Sequence, residues 1–165
     1  MKPAPPARSP IVPAPTLSIV IPALNEEDWL GRTLRQLSVL DPPPLEVLVV
    51  DGGSGDRTTI IAAEAGATVI PAAVKGRGAQ MNAGAARARG KLLCFLHADT
   101  LVPDDLVAVA ARVLADPGVA GAGFVSLMAG DTNTRWLISA LNAVKTSLAP
   151  LLFRPHLYVR GLRLL

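Results

Sequence analysis

The sequence has little cysteine, few aromatic residues and no long uninterrupted apolar run, and each shortage excludes a class of protein. With one cysteine, Cys94, no internal disulfide can form, and its place in an apolar run indicates a buried thiol in a reducing compartment. Aromatic residues make up only 4% and alternate with no arginine-rich stretch, so we expect no nucleic-acid partner despite a net charge of +3. Residues 1–15 carry six prolines, which predicts a disordered, partly polyproline leader rather than a signal peptide.

Acidic residues are missing from the end of the sequence. None follows Asp131, whereas five cations do: Arg135, Lys145, Arg154, Arg160 and Arg163. Such a basic end suits an anionic membrane or a phosphorylated substrate, unless acidic partners lie in chain outside this sequence. Residues 136–152 are apolar and helical in pattern, but Lys145 interrupts them and Pro150 breaks them, which favours an amphipathic helix on the domain or at a membrane surface. We therefore expect a cytoplasmic protein, with a peripheral membrane contact as the alternative.

The sequence does contain a regular alternation of apolar strands and helical segments. Half of it is hydrophobic and 18% is charged, as expected for one globular domain, residues 16–165. Apolar runs predict buried strands at 17–21, 45–50, 67–70 and 91–96, and a glycine-rich strand from Val119 to Leu127. Helical segments separate them, the first with Asn25 as its N-cap. This order predicts an α/β fold, a Rossmann-like, doubly wound and mostly parallel sheet with flanking helices.

The second strand ends in the most informative stretch, Val50-Asp51-Gly52-Gly53-Ser54-Gly55-Asp56-Arg57-Thr58. Ligands of open α/β sheets bind beyond the carboxyl ends of the strands, so Asp51 is expected at the edge of a crevice, where its carboxylate suits a base or sugar hydroxyl. The glycines let the backbone turn and come close to a ligand. The alternative is an ordinary strand-to-helix turn in which Asp56 or Ser54 caps the helix.

Two further groups of polar residues point to phosphate chemistry. Lys75 and Arg77 lie at the start of a helical segment, a favourable place for a diphosphate, although a solvated glycine loop is the alternative. Asp99 follows the fourth strand and is a suitable ligand for a hard divalent cation. His97 lies on the same side if the strand stays extended, but a structural hydrogen bond is its simpler role. We expect Asp51 and Asp99 to project from neighbouring strand tips into one cleft.

Four pieces in this order resemble family 2 glycosyltransferases, and the last two are most similar to a bacterial-type subgroup: 17–26, 50–58, 76–84 and 95–100. The resemblance implies a GT-A fold, with a nucleotide-sugar site at the first, second and fourth strands and Mn²⁺ or Mg²⁺ under the diphosphate. The donor-binding residues that it implies are Pro22, Ala23, Asn25, Glu26, Asp51, Gly53, Ser54, Lys75, Arg77, Gln80, His97 and Asp99.

The resemblance also implies separate roles for these residues. The first four would line the nucleotide pocket, and Asp51 would bond the base or ribose. Arg77, with Lys75, would approach the diphosphate. Asp99 matches the last aspartate of the family's Asp-x-Asp metal motif and is the implied metal ligand.

The sequence departs from the family pattern at two points. His97 stands where the family has the first aspartate of the metal motif. The resemblance therefore implies Asp99 as one metal ligand, and a second protein ligand is not assigned. The family's catalytic base is an acid in a later Glu-Asp motif, and because no acid follows Asp131 we expect it beyond Leu165. The implied function is a metal-assisted, inverting transfer of sugar from a UDP- or GDP-sugar to an unidentified acceptor. We expect these 165 residues alone to bind donor weakly and to transfer little or no sugar.

Two other readings stay open. A nucleotidyltransferase with a related sheet would show a Gly-x-Gly-Thr-Arg-like loop after the first strand, and Pro22-Ala23-Leu24-Asn25-Glu26 is not such a loop. The other reading is a non-catalytic nucleotide-binding module that lacks the acceptor half.

Overall fold

The structure, a computed structural model, describes residues 16–123, and they form a four-stranded parallel sheet with helices on both faces. The strands lie in the order β3-β2-β1-β4, so the predicted α/β architecture is confirmed. Each parallel connection contains a helix, as a crossover between parallel strands requires. In chain order the elements are β1 (Leu17–Ala23), α1 (Leu30–Leu37), β2 (Glu46–Asp51), α2 (Thr58–Glu64), β3 (Thr68–Pro71), α3 (Arg77–Arg87), β4 (Leu92–Phe95) and α4 (Leu106–Val113).

The central strand β1 separates two apolar layers. Its alternating side chains divide between them, with Leu17, Ile19 and Ile21 in the larger core and Val20 in the smaller one. Helices α1, α2 and α4 contribute buried residues to the larger core, while α3 covers the smaller. Because both faces are covered, the strands are mostly apolar rather than alternating in polarity.

Helix α3 lies unusually close to the sheet. A Cβ atom added at Gly84 would collide with the Val20 side chain and would lie 3.0 Å from Val50 Cγ2. Only glycine leaves room for the helix at this distance, which fixes α3, and the loop before it, against β1 and β2.

Hydrogen bonds among four residues join the amino ends of β1, β2 and β4. We call these residues, Ser18, Glu46, Arg89 and Gly90, the amino-end cluster. Glu46 Oε1 accepts hydrogen bonds from Ser18 Oγ at 2.7 Å and from the Arg89 N–H at 2.6 Å, and Arg89 Nε donates to Oε2 at 2.8 Å. The Gly90 N–H donates to Ser18 Oγ at 2.9 Å. Burial alone would raise the pKa of Glu46, but these hydrogen bonds hold it below its ordinary value.

Three expectations about the fold need correction. Helix α1 begins at Leu30 rather than after Asn25, which has a φ of 55° and caps no helix. Strands β2 and β4 are not neighbours, because β1 lies between them. Residues 119–123 contain no strand, so the described part of the strand predicted from Val119 is wrong.

Some predictions fall outside the described residues. These are the leader at 1–15, the rest of the strand predicted to Leu127, and the helix at 136–152. Within residues 16–123, no helix has the length and apolar character needed to cross a membrane.

Candidate functional site

Asp51 is the last residue of β2, and its carboxylate organises the turn that follows. Its oxygens accept hydrogen bonds from the N–H groups of Gly53 at 3.1 Å and Ser54 at 3.2 Å. Gly53 has a φ of 95°, a conformation that suits glycine. Asp51 is only 8% exposed. A carboxylate held in this way is pre-positioned to accept further hydrogen bonds from a base or ribose.

The loop after β1 and the loop after β2 are joined by reciprocal hydrogen bonds; we call residues 24–29 the first loop and residues 52–57 the second loop. The Asn25 N–H donates to Ser54 Oγ at 2.9 Å, and the Gly55 N–H donates to Asn25 Oδ1 at 2.9 Å. The Arg57 N–H donates to Glu27 Oε2 at 3.1 Å. The side chains of Asn25 and Ser54, both predicted to bind donor, therefore also hold the two loops together.

Asp56 and Thr58 complete this brace. The Glu26 N–H donates to Thr58 Oγ1 at 2.8 Å, and the Glu27 N–H donates to Asp56 Oδ2 at 3.2 Å. Helix α2 begins at Thr58 with Arg57 as its N-cap, so neither Asp56 nor Ser54 caps it. Asp56 instead accepts from the N–H and the hydroxyl of Thr58, which lower its pKa.

Glu26 responds to charges on two other parts of the chain. Its pKa is raised, first by partial burial and then by the negative charge of Asp99, while Arg77 and His97 oppose the shift. Glu26 follows β1, and His97 and Asp99 follow β4, which pairs with β1 in parallel, so their loops leave the same edge of the sheet. Arg77 is the first residue of α3.

The loop that carries His97 and Asp99 is fixed to helix α1. Thr33, which is buried, donates from its hydroxyl to the Ala98 carbonyl at 2.6 Å. Gln36 contacts the main chain of Val102 through both ends of its amide, accepting from the Val102 N–H at 3.0 Å and donating to its carbonyl. The backbone around Asp99 is therefore held in place while its side chain stays exposed.

The other predicted residues differ in their access to a ligand. Pro22 is half-buried and Ala23 is buried at the end of β1, opposite Val50 and Asp51 in the register. Lys75 and Arg77 are exposed at the start of α3, and neither forms an ion pair with a described residue.

Gln80, like Ala23, has little access to a ligand. Its side chain is 5% exposed, and Nε2 donates to the carbonyls of Ala23 at 2.7 Å and Val50 at 2.8 Å. Its amide therefore joins the ends of β1 and β2.

The donor atoms of the site fit a divalent cation that is also held by phosphate. Within residues 16–123 no group of three His, Cys, Asp or Glu side chains could hold a metal alone. Mg²⁺ and similar ions are, however, often bound by one or two carboxylates together with substrate phosphates. Asp99 supplies an exposed carboxylate of this kind. Asp51 ends β2, and β1 separates β2 from β4.

The family model of glycosyl transferase family 2 matches residues 18–159. The chain belongs to this family. Membership confirms the resemblance found in the sequence and argues against the nucleotidyltransferase reading.

Relatives of known structure share the fold. Glucosyl-3-phosphoglycerate synthase of Mycobacterium tuberculosis, solved with Mn²⁺, UDP and glucosyl-3-phosphoglycerate, superimposes with a TM-score of 0.59 at 27% identity, covering 84% of this chain and 53% of that one. The sheet and helices thus have the GT-A fold of these enzymes, as predicted.

Curated relatives match over part of their length. Glucosyl-3-phosphoglycerate synthase of Mycolicibacterium paratuberculosis is 35% identical over 97 residues, which cover 53% of this chain and 30% of that protein. The low-salt glycan biosynthesis hexosyltransferase Agl6 of Haloferax volcanii is 40% identical over 93 residues, covering 52% and 21%. The matched part of this chain spans less than a third of either protein.

Sequence reasoning missed the residues that hold the site together. Neither Thr58, at the start of α2, nor Thr33, within α1, was given a role from the sequence. A hydroxyl residue two positions after Asp56 was the available signal, because Asp and Thr at a helix start commonly bond nearby main chain. Their actual partners lie 32 and 65 residues away, which local pattern does not reveal.

Proposed function

We propose that this chain is the donor-binding part of a metal-dependent glycosyltransferase that uses a nucleotide diphosphate sugar. The observation that carries the proposal is the set of polar loops at the carboxyl ends of β1, β2 and β4: the loop of the Asp51 turn is hydrogen-bonded to the first loop, and His97 and Asp99 follow β4, the parallel neighbour of β1. Ligands of open α/β sheets bind at this edge. Family membership and the UDP and Mn²⁺ in the M. tuberculosis relative support the same assignment.

Different residues are proposed to contact different parts of the donor. Asp51 accepts hydrogen bonds from the base or ribose, with Pro22 and Ala23 forming the wall beside it. Asp99 would hold the cation, Mn²⁺ or Mg²⁺, with diphosphate oxygens as further ligands. Arg77 contributes a positive charge near the start of α3, where the helix N-terminus also favours a diphosphate.

The chemistry follows from where charge develops. In an inverting transfer the acceptor oxygen attacks the anomeric carbon as the bond to the diphosphate breaks, and negative charge grows on the departing diphosphate. A bound divalent cation would supply Lewis-acid stabilisation of that charge. Arg77 adds to it from the protein. A base must remove the acceptor proton, and no acidic residue lies among residues 132–165 to do so.

Donor binding can be tested directly on the 165-residue chain. Isothermal titration with UDP and with GDP, each with and without MnCl₂, should show binding to one nucleotide that requires the metal. Asp99→Asn should weaken metal-dependent binding by at least about thirtyfold, because a neutral amide replaces the one charged ligand we assign. The matched variant Asp116→Asn removes an acid from the turn after α4 and should leave binding unchanged. Absence of binding to either nucleotide, or equal affinity in Asp99→Asn, would refute the proposal.

Turnover is a separate question from donor binding. We propose that these residues bind donor and transfer little or no sugar on their own, because the base is not among the residues assigned here. Robust release of UDP or GDP from a nucleotide sugar in the presence of an acceptor would contradict this part. The membrane contact predicted from residues 136–152 also stays a prediction, tested by flotation with anionic vesicles.

A further inference from the structure

We propose that Thr58 is a positioning residue, which holds the first loop in the shape that donor binding needs. The inference rests on the proposed function but concerns a residue that would touch neither the nucleotide nor the cation. Thr58 is fully buried at the start of α2.

The Thr58 hydroxyl group makes two hydrogen bonds, one to the first loop and one to the second loop. Thr58 Oγ1 accepts the Glu26 N–H at 2.8 Å and donates its proton to Asp56 Oδ1 at 2.5 Å. The Thr58 N–H also donates to Asp56 Oδ1, at 3.0 Å. Because Asp56 can only accept, the Thr58 hydroxyl proton is directed to it, and the oxygen lone pairs are left to face Glu26. The orientation of the hydroxyl is therefore fixed by the second loop before any ligand arrives.

The first loop needs such support because its backbone is unusual. Asn25 has a φ of 55°, in the left-handed region, which non-glycine residues populate sparsely and asparagine more readily than most. Such a conformation persists when surrounding contacts over-determine it. The next residue is Glu26, whose carboxyl responds to the charges of Asp99, Arg77 and His97. Release of the Glu26 N–H would let the loop leave this conformation, and the carboxyl would move with it.

Donor affinity depends on the fraction of molecules in which the first loop has the binding-competent conformation. If only a fraction of molecules hold the binding-competent loop, apparent affinity falls by that fraction. A variant without the Thr58 hydroxyl should therefore bind donor more weakly although every proposed ligand-contacting residue is intact. The pair Thr58→Val and Thr58→Ser separates hydroxyl from shape, since valine keeps the branched side chain and serine keeps the oxygen.

The experiment compares four proteins, each the 165-residue chain: wild type, Thr58→Val, Thr58→Ser and Ser18→Ala. Ser18 is also fully buried and also bonds across strands, but in the amino-end cluster, so its variant controls for a loss of stability. Each is titrated with UDP or GDP, whichever the wild type binds, in MnCl₂. We expect Kd to rise about tenfold in Thr58→Val and to stay within about twofold in Thr58→Ser and Ser18→Ala.

A second measurement needs no ligand. In Thr58→Val, amide hydrogen exchange of peptides covering residues 24–28 should be at least about tenfold faster than in the wild type, with β1 and β2 unchanged. If Thr58→Val does not fold, Thr58→Ala removes the same hydroxyl and should accelerate the same peptides.

The outcomes separate the two proposals. Equal affinity and equal exchange in Thr58→Val and wild type would overturn the positioning role. A matching loss of affinity in Ser18→Ala would also overturn it, because general stability would then explain the effect. A wild-type chain that binds neither nucleotide would refute the proposed function, and the exchange measurement would still decide whether Thr58 holds the loop.

Discussion

The two ends of the sheet are cross-linked by similar bonds but use their charges differently. At the amino end, Glu46 and Arg89 have structural roles, because the Glu46 carboxylate accepts three hydrogen bonds, two of them from Arg89. At the carboxyl end, neutral groups such as Thr58 and Asn25 do much of the bracing. Arg77 and Asp99 there form no ion pair with a described residue. The comparison shows that Arg77 and Asp99 have no such partner where a charged ligand is proposed to bind, whereas the carboxylates of Asp51, Asp56 and Glu27 take part in the bracing.

The largest effect that would test this comparison is expected at Gly90, in the amino-end cluster. A Cβ atom there would lie 2.6 Å from both Ser18 Oγ and the Thr16 carbonyl oxygen, and 2.7 Å from the Ser18 nitrogen. Gly90→Ala should therefore lower the free energy of unfolding by about 3 kcal/mol. Gly55→Ala, where no atom lies within 4 Å, should change it by less than about 0.5 kcal/mol. Urea unfolding measures both, and equal values would show that the amino end tolerates displacement.

The next largest effect is expected at the carboxyl end of the sheet, for a substitution of Gln80. Gln80→Met keeps the length of the side chain but leaves the carbonyls of Ala23 and Val50 without its amide. We expect a loss of about 2 kcal/mol in unfolding free energy, together with a several-fold rise in the Kd for UDP or GDP with Mn²⁺. Weaker binding without any loss of stability would show instead that Gln80 contacts the donor, as first predicted.

The smallest change in the free energy of unfolding is expected for a substitution of Glu46, and this change depends on pH. Because hydrogen bonds hold its folded-state pKa below the ordinary value of about 4.3, its contribution is complete above that pH and is lost as pH falls through the folded-state pKa. Glu46→Gln should cost about 1.5 kcal/mol at pH 7, and the difference from wild type should shrink below about pH 4.

The matched control for this prediction is Glu64→Gln, on the exposed surface of α2. It should show little change at either pH. Chemical denaturation at pH 7 and pH 3.5 makes the comparison. A gap between wild type and Glu46→Gln that widens on acidification would contradict the assignment.

Much of the fold was predictable because it depends on local pattern. The apolar runs located all four described strands to within one or two residues, and Gly66, with a φ of 77°, ends α2 near the expected residue. The acids at the strand ends were likewise recognisable, because a buried strand that stops at Asp51 leaves few other places for a carboxylate.

The bracing of the site was not predictable in the same way. Asn25 looked like a helix cap, yet its side chain accepts from Gly55, 30 residues away, and the helix starts five residues later. The order of the strands was also misjudged, since nothing in β4 itself indicates that it pairs with β1 on the side away from β2. Both errors concern contacts between distant segments, which outweigh local preference.

The close packing at Gly84 limits how this edge of the protein can respond to a ligand. With no room for a methyl group between α3 and the Val20 and Val50 side chains, the helix cannot slide or tilt inward without a clash. Arg77 stands on the first turn of that helix and is exposed. Movement of its guanidinium toward a bound anion would therefore come from rotation about the side-chain bonds rather than from a shift of the helix.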